Sequence, residues 1–364
     1  MAIDAERLRR AAVLARANLG RSVVALNPTY DREAQAKNTE AKLFGVKNTN
    51  GIPREVFERL RRNGNYLWLT VDKMADLGRS VDTDLVNPLT YRPMTGSTSG
   101  GAVNILKGVT DLCIGTDGGG SALAPALAAC MPAFMGNGIG LHGGQGRSTD
   151  GLPFTVGLGV IGRYLDEVLK AAEILHGASL QTGPLPAKVI VAIPAPGCML
   201  LPGGGDANAV LRTYLEKLPA GPITWQWKEV NWQAPYDRAA LSRQLQEQIQ
   251  QNPEQLYLSF EGPIDVFSAD ETIPRAFGGT APGCVAGVNG KAFVKVANPC
   301  GCSGFALPSD QLAAGFVLLC PPGTQTLPAA CLLANALMQA APWPDMFARY
   351  YLRREKFCEP FELQ

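Results

Sequence analysis

Histidine is nearly absent: His142 and His176 are the only two in 364 residues. A Ser-His-Asp triad would have to rest on one of these two positions. An excess of charge of either sign is missing too. With 33 basic and 32 acidic side chains, the net charge of +1 lacks the basic surplus of a dedicated nucleic-acid binder. No run reaches 18 apolar residues. The nearest, 327–341, contains Pro328, Asn335 and Gln339 and suits a buried core helix rather than a membrane span. The first twenty residues lack the unbroken apolar core and cleavage site of a secretory signal, because Arg9, Arg10 and Arg16 interrupt them. A cytoplasmic protein with no membrane partner is expected.

What the chain has in plenty is turn formers and apolar residues. It holds 40 Gly and 27 Pro, well above the usual share of about 12%. A hydrophobic content of 46% excludes a disordered chain. Nine cysteines, an odd number scattered over the length, read as reduced and buried. Cys300 and Cys302 lack a second Cys/His pair at zinc spacing, so no metal or cofactor is expected.

Strand and helix patterns interleave. Residues 1–40 read as mainly helical. An apolar run at 43–46 precedes a helix at 53–62 and a strand at 66–71. Residues 112–114 read as a buried strand, 123–135 as an Ala-rich helix and 136–146 as a Gly-dense loop. Helices are expected at 165–175, 206–218 (capped by Asp206), 237–251 and 328–341. Strands are expected at 189–193, 223–230, 256–260, 293–296 and 316–319. The alternation places the chain in the α/β class. No linker or repeat divides it. We expect an N-terminal helical segment (1–42) packed on an α/β core (43–345), followed by a C-terminal tail (346–364).

Two Ser/Gly turns carry the chemical signal: Gly96-Ser97-Thr98-Ser99-Gly100-Gly101 and Gly115-Thr116-Asp117-Gly118-Gly119-Gly120-Ser121. A serine that ends three glycines after a buried strand sits where backbone N–H groups can converge on an oxyanion. A plain tight turn or a phosphate cradle stands beside that reading, although no Gly-Lys-Ser/Thr follows to make a Walker loop. A serine nucleophile needs a base. Beyond the two histidines, two lysines end short apolar runs, Lys47 and Lys73. Either could serve if burial kept its amine neutral.

Residues 96–121 resemble the amidase signature family, whose two turns read Gly-Ser-Ser-Ser-Gly and Gly-Thr-Asp-Thr-Gly-Gly-Ser. The resemblance implies a single-domain α/β fold with a central mixed β-sheet covered by helices on both faces. It also implies a catalytic lysine, a serine flanked by a cis peptide and a nucleophilic serine. Ser121 matches the nucleophile. Ser97, 24 residues earlier, matches the second serine without a gap; aligning by letters would put Thr98 there instead. Lys47, in Val46-Lys47-Asn48 ahead of Gly51-Ile52-Pro53, matches the family lysine better than Lys73 does. Gly118, Gly119 and Gly120 match the oxyanion hole. The implied activity is hydrolysis of the C–N bond of a small amide through a Ser121 acyl-enzyme. The implied alternatives are a silent scaffold subunit and a glutamine amidase subunit of an amidotransferase, and a homodimer or a partner subunit fits the family. The chain departs from the pattern in its short Lys47–Ser97 interval and in Asn48. It also lacks an Arg after the nucleophile, where Ala122-Leu123-Ala124-Pro125 stands. Segments 152–156 and 300–305 read equally as pocket lining or as core.

Overall fold

The computed structural model describes residues 3–147, 153–269, 273, 277–280 and 288–355. Its centre is a twelve-stranded mixed sheet. The strands are β1 (Val23–Leu26), β2 (Lys42–Lys47), β3 (Tyr66–Asp72), β6 (Leu112–Asp117), β7 (Ala133–Met135), β8 (His142–Arg147), β9 (Pro153–Gly162), β10 (Lys188–Pro194), β11 (Thr224–Val230), β12 (Leu256–Glu261), β13 (Ser303–Pro308) and β14 (Gly315–Cys320). They lie in the order β1-β3-β2-β6-β9-β7-β13-β14-β12-β10-β11, with β8 added alongside β9. β4 (Val81–Val86) and β5 (Pro93–Thr95) form a separate ribbon.

The central strands are buried along their whole length. Every residue of β6, β12, β13 and β14 is buried, which suits their near-continuous apolar sequences. Helices α1 (Ala5–Ala17), α2 (Tyr30–Ala34), α3 (Arg54–Arg62), α4 (Ser99–Lys107), α5 (Leu123–Ala128), α6 (Leu165–His176), α7 (Ala207–Leu215), α8 (Arg238–Gln251), α9 (Phe293–Val296) and α10 (Leu327–Ala340) flank it. Asp4, Asp206 and Asp237 cap α1, α7 and α8 by accepting backbone N–H groups, as N-cap carboxylates do. One continuous cluster fills most of the interior, and a smaller one beneath α1 joins Leu8, Ala11 and Ala15 to Leu43, Leu67 and Leu69. The architecture is single-domain α/β with a flanked mixed sheet, as expected.

Several local expectations are corrected. The 1–42 segment is not all helical: Val23, fully buried, pairs with Asp72 and brings β1 into the sheet antiparallel to β3. The Ala-rich helix stops at Ala128, because Cys130 turns with φ +52 and Pro132 follows, and 133–135 re-enter the sheet as β7. The Gly-dense loop contains β8, paired with β9. Residues 293–296 form a helical turn rather than a strand. There the Glu261 carboxylate gathers the N–H groups of Ala292, Phe293 and Val294, which a strand would have pointed in alternating directions. Of the expected tail, 346–355 continue as Asp345–Phe347 and a π-helical turn, Ala348–Arg353; residues 356–364 lie outside the described set.

Candidate active site

β2 runs parallel to β6, with Val46 opposite Ile114. Their carboxyl ends therefore lie side by side, the usual site-bearing edge of an α/β sheet. Lys47 ends β2 and Asp117 ends β6. The Lys47 side chain is almost wholly enclosed. Its Nζ lies 2.7 Å from Ser97 Oγ and 2.7 Å from Thr116 Oγ1, with Thr116 O at 3.3 Å. Burial pulls its ammonium down to about 7, against the opposing pull of the nearby Asp117 charge.

Ser97 is placed by Gly96, whose φ of +71 turns the chain and whose N–H meets Ser80 O at 2.7 Å. A side chain at residue 96 would also strike Pro125 at 2.4 Å, so glycine is required there on two counts. The peptide bonds around Ser97 are trans. This corrects the cis geometry implied by the family resemblance: among the described residues, the one cis bond is Gly262–Pro263. The turn at Gly96 brings Ser97 Oγ to Lys47 without it. Thr98, the rival match, is not among the partners of Lys47; its side chain packs against Gly115, with Oγ1 buried without a partner.

The second turn is built on Asp117. Its Oδ1 accepts the Gly120 N–H at 2.7 Å, and its Oδ2 accepts those of Ala122 (2.7 Å) and Leu123 (3.2 Å). Burial raises the Asp117 carboxyl, and these three donors pull it back. Gly120, with φ +96, is thus already committed, which corrects its expected place in an oxyanion hole. Gly118, Gly119 and Ser121 are half-buried. A methyl group on Gly118 would sit 2.3 Å from the Phe154 ring, and one on Gly120 2.9 Å from Val294 O. Ser121 is tied to the first turn through its carbonyl, which accepts the Thr98 N–H at 3.1 Å. The structure thus joins Lys47 to Ser97 directly and joins the Ser97 turn to Ser121 through the backbone. It places no hydrogen bond between the two serine hydroxyls.

Lys73 is engaged elsewhere. Its Nζ lies 2.6 Å from Asp82 Oδ1, and Ser99 Oγ donates to the other oxygen at 2.6 Å. Burial alone would lower Lys73, but Asp82, Asp84 and Asp76 outweigh it and hold its ammonium above the ordinary value. His142 is exposed beside the carbonyl of Gly143, and His176 ends α6. Segment 300–305 proves to be core: β13 is wholly buried, and Cys300 and Cys302 are buried thiols, Cys300 pushed up to about 11 by burial. Leu152 lies outside the described residues, whereas Phe154 lines the Gly118 turn.

Three contacts around these turns lie outside the roles read from the sequence. Thr116 supplies two of the three acceptors around Lys47 Nζ. Arg238, the first residue of α8, donates from Nη2 to Gly118 O at 3.4 Å. Glu261 holds the 292–294 backbone that forms a wall against Gly120. All three are contacts across long stretches of chain.

No protein-family model and no curated protein matches the sequence. Solved structures match it in three dimensions. A crystal structure of an amidase superposes with a TM-score of 0.59 at 16% identity, covering 92% of this chain and 95% of that one. A 6-aminohexanoate cyclic dimer hydrolase complexed with substrate gives 0.63 at 13%, covering 93% and 94%. The chain has the amidase-signature fold. An allophanate hydrolase from Kluyveromyces lactis gives 0.63 at 14%, but this chain spans 70% of it. Within the amidase-signature fold, the Lys47–Ser97 contact and the Ser121 turn occupy the carboxyl edge of β2 and β6.

Proposed function

We propose that this chain hydrolyses the C–N bond of a small amide, with Ser121 as nucleophile and Lys47 and Ser97 as a proton relay. One observation carries the reading: a buried lysine, drawn down to about 7, hydrogen-bonded at 2.7 Å to a serine whose turn is tied to the turn of a second serine. The neutral amine keeps two N–H donors for Thr116 and offers its lone pair to the Ser97 hydroxyl. Lys47 takes the Ser97 proton, and Ser97 takes that of Ser121. Ser121 Oγ bonds to the amide carbon, and the carbonyl electrons move to oxygen. The N–H groups of Gly118, Gly119 and Ser121 hold that oxyanion. The relay returns its proton to the amide nitrogen, the C–N bond breaks, and ammonia or an amine leaves. Water, deprotonated by the same relay, then releases the acid and restores Ser121.

The resemblance of residues 96–121 and neighbours named amidase and hydrolase support this reading. A silent scaffold has no need of a lysine held in register with Ser97, so the contact weighs against it. The test is a panel of primary amides, glutamine, cyclic amides and carboxyurea compounds, with ammonia or amine release measured. Turnover by the wild type and none by Ser121→Ala is expected. Equal turnover by both proteins would overturn the assignment, and glutamine as the sole substrate would point to the amidotransferase subunit instead.

A further inference from the structure

Far along α4 from its serine-bearing start, its C-terminal end, α1 and residues 353–354 border a cavity of about 430 Å³. Arg7, Arg10, Arg163, Arg353 and Arg354 line it. Three carboxylates on the lining, Asp4, Glu6 and Asp111, face these five arginines. Asp111 serves both Arg7 and Arg163, the latter at 3.3 Å. Arg353 is matched by Glu355 at 2.7 Å and Asp345 at 3.5 Å. Asp4 is occupied in capping α1. Among the described residues, Arg10 and Arg354 have no carboxylate partner.

Arg354 donates from Nη2 to Ile105 O and Leu106 O, so it satisfies carbonyls at the end of α4. Its Nε is buried with no acceptor, and so is that of Arg163. Burial, and then the charges of Arg163 and Arg10, push the Arg354 guanidinium down to about 10. Unrelieved repulsion among cations around a cavity is the condition that a bound anion removes.

We propose that this cavity binds a tetrahedral oxyanion of the phosphate class, free or as the phosphoryl group of a larger molecule, through Arg10, Arg163 and Arg354. Guanidinium forks pair with phosphate oxygens two at a time, and three forks need more acceptor oxygens than one carboxylate offers. The site is separate from the Ser121 chemistry and does not depend on it.

The test is calorimetric titration of the full chain with inorganic phosphate and, separately, with glycerol phosphate, ionic strength being held constant with chloride. Saturable binding of at least one is expected, weakened tenfold or more in Arg10→Ala and lost in Arg10→Glu. The tighter arm identifies the free ion or the phosphomonoester. Arg10 is exposed, so these variants should fold even if Arg354→Met, which uncaps α4, does not. No saturable binding in either arm, or binding undiminished in Arg10→Glu, would overturn the proposal.

Discussion

Lys73 Nζ lies 2.6 Å from Asp82 Oδ1, in a carboxylate that also holds Ser99. This pairing separates the two candidate lysines. Lys73→Met should leave kcat per folded molecule within a few-fold of wild type. It should also destabilise the fold by about 3 kcal/mol, since Asp82 stays buried and loses its cationic partner while keeping only the Ser99 hydroxyl and the Asp84 N–H. Lys47→Met should instead lower kcat by roughly 10²–10⁴-fold, the range of a lost general base. Steady-state kinetics beside denaturant unfolding of both variants checks this. The reverse pattern would move the base to Lys73.

The pH dependence follows from Lys47. With its ammonium drawn down to about 7, Lys47 is charged below that pH and neutral above it, and only the neutral amine can fill the proposed role of base. The kcat/KM profile should therefore rise through a midpoint near 7, and Lys47→Arg, charged at every accessible pH, should be inactive. Stability carries the same signature. Between about pH 7 and the ordinary lysine value of 10.5, the unfolded chain binds the proton that the folded chain has shed, so unfolding becomes costlier as pH rises. Relative to Lys47→Met, the wild type should gain up to about 1.4 kcal/mol per pH unit across that window. Below pH 7 the cost of burying the charge is fully present and the difference should level off. Denaturant titrations of both proteins from pH 6 to 10 measure it.

Asp117 organises the turn that carries Ser121. In Asp117→Asn, one oxygen that accepts backbone N–H becomes a donor facing donors. A loss of about 1–3 kcal/mol is expected for the buried groups left unsatisfied. Activity should fall further than this fraction unfolded explains, because Gly120 and Ala122 flank Ser121. Kinetics at a temperature where the variant is fully folded separates the two effects.

Gly118 and Phe154 share one space. A methyl group at 118 would lie 2.3 Å from the Phe154 ring, so Gly118→Ala must displace either the ring or the turn. Activity should drop tenfold or more, and Gly118→Ala with Phe154→Ala should recover part of it. A double variant no better than Gly118→Ala would show that the backbone of the turn, not the ring contact, is the constraint.

Much of this was legible in the sequence because the signal was local. Lys47 is marked by the residues around it and by the Gly-x-Pro turn after it. Ser121 is marked by three preceding glycines and a buried strand. What escaped was set by distant partners. Residues 293–296 are apolar and β-branched enough to suggest a strand, yet Glu261, 30 residues and more away, winds their N–H groups into a turn. Val23–Leu26 gives only a four-residue pattern, and its strand exists through pairing with β3. That the Gly120 N–H is taken up by Asp117 depends on where the Asp117 side chain turns. Spacing places Asp117 three residues before Gly120 and leaves that direction open.

The most direct test of the central claim is intact-mass and peptide mapping after reaction with a fluorophosphonate. The account predicts one adduct, on Ser121, formed more slowly below pH 7 and absent from Ser121→Ala. An adduct on another residue, or a wild-type chain that stays unlabelled at pH 8 to 9, would contradict it.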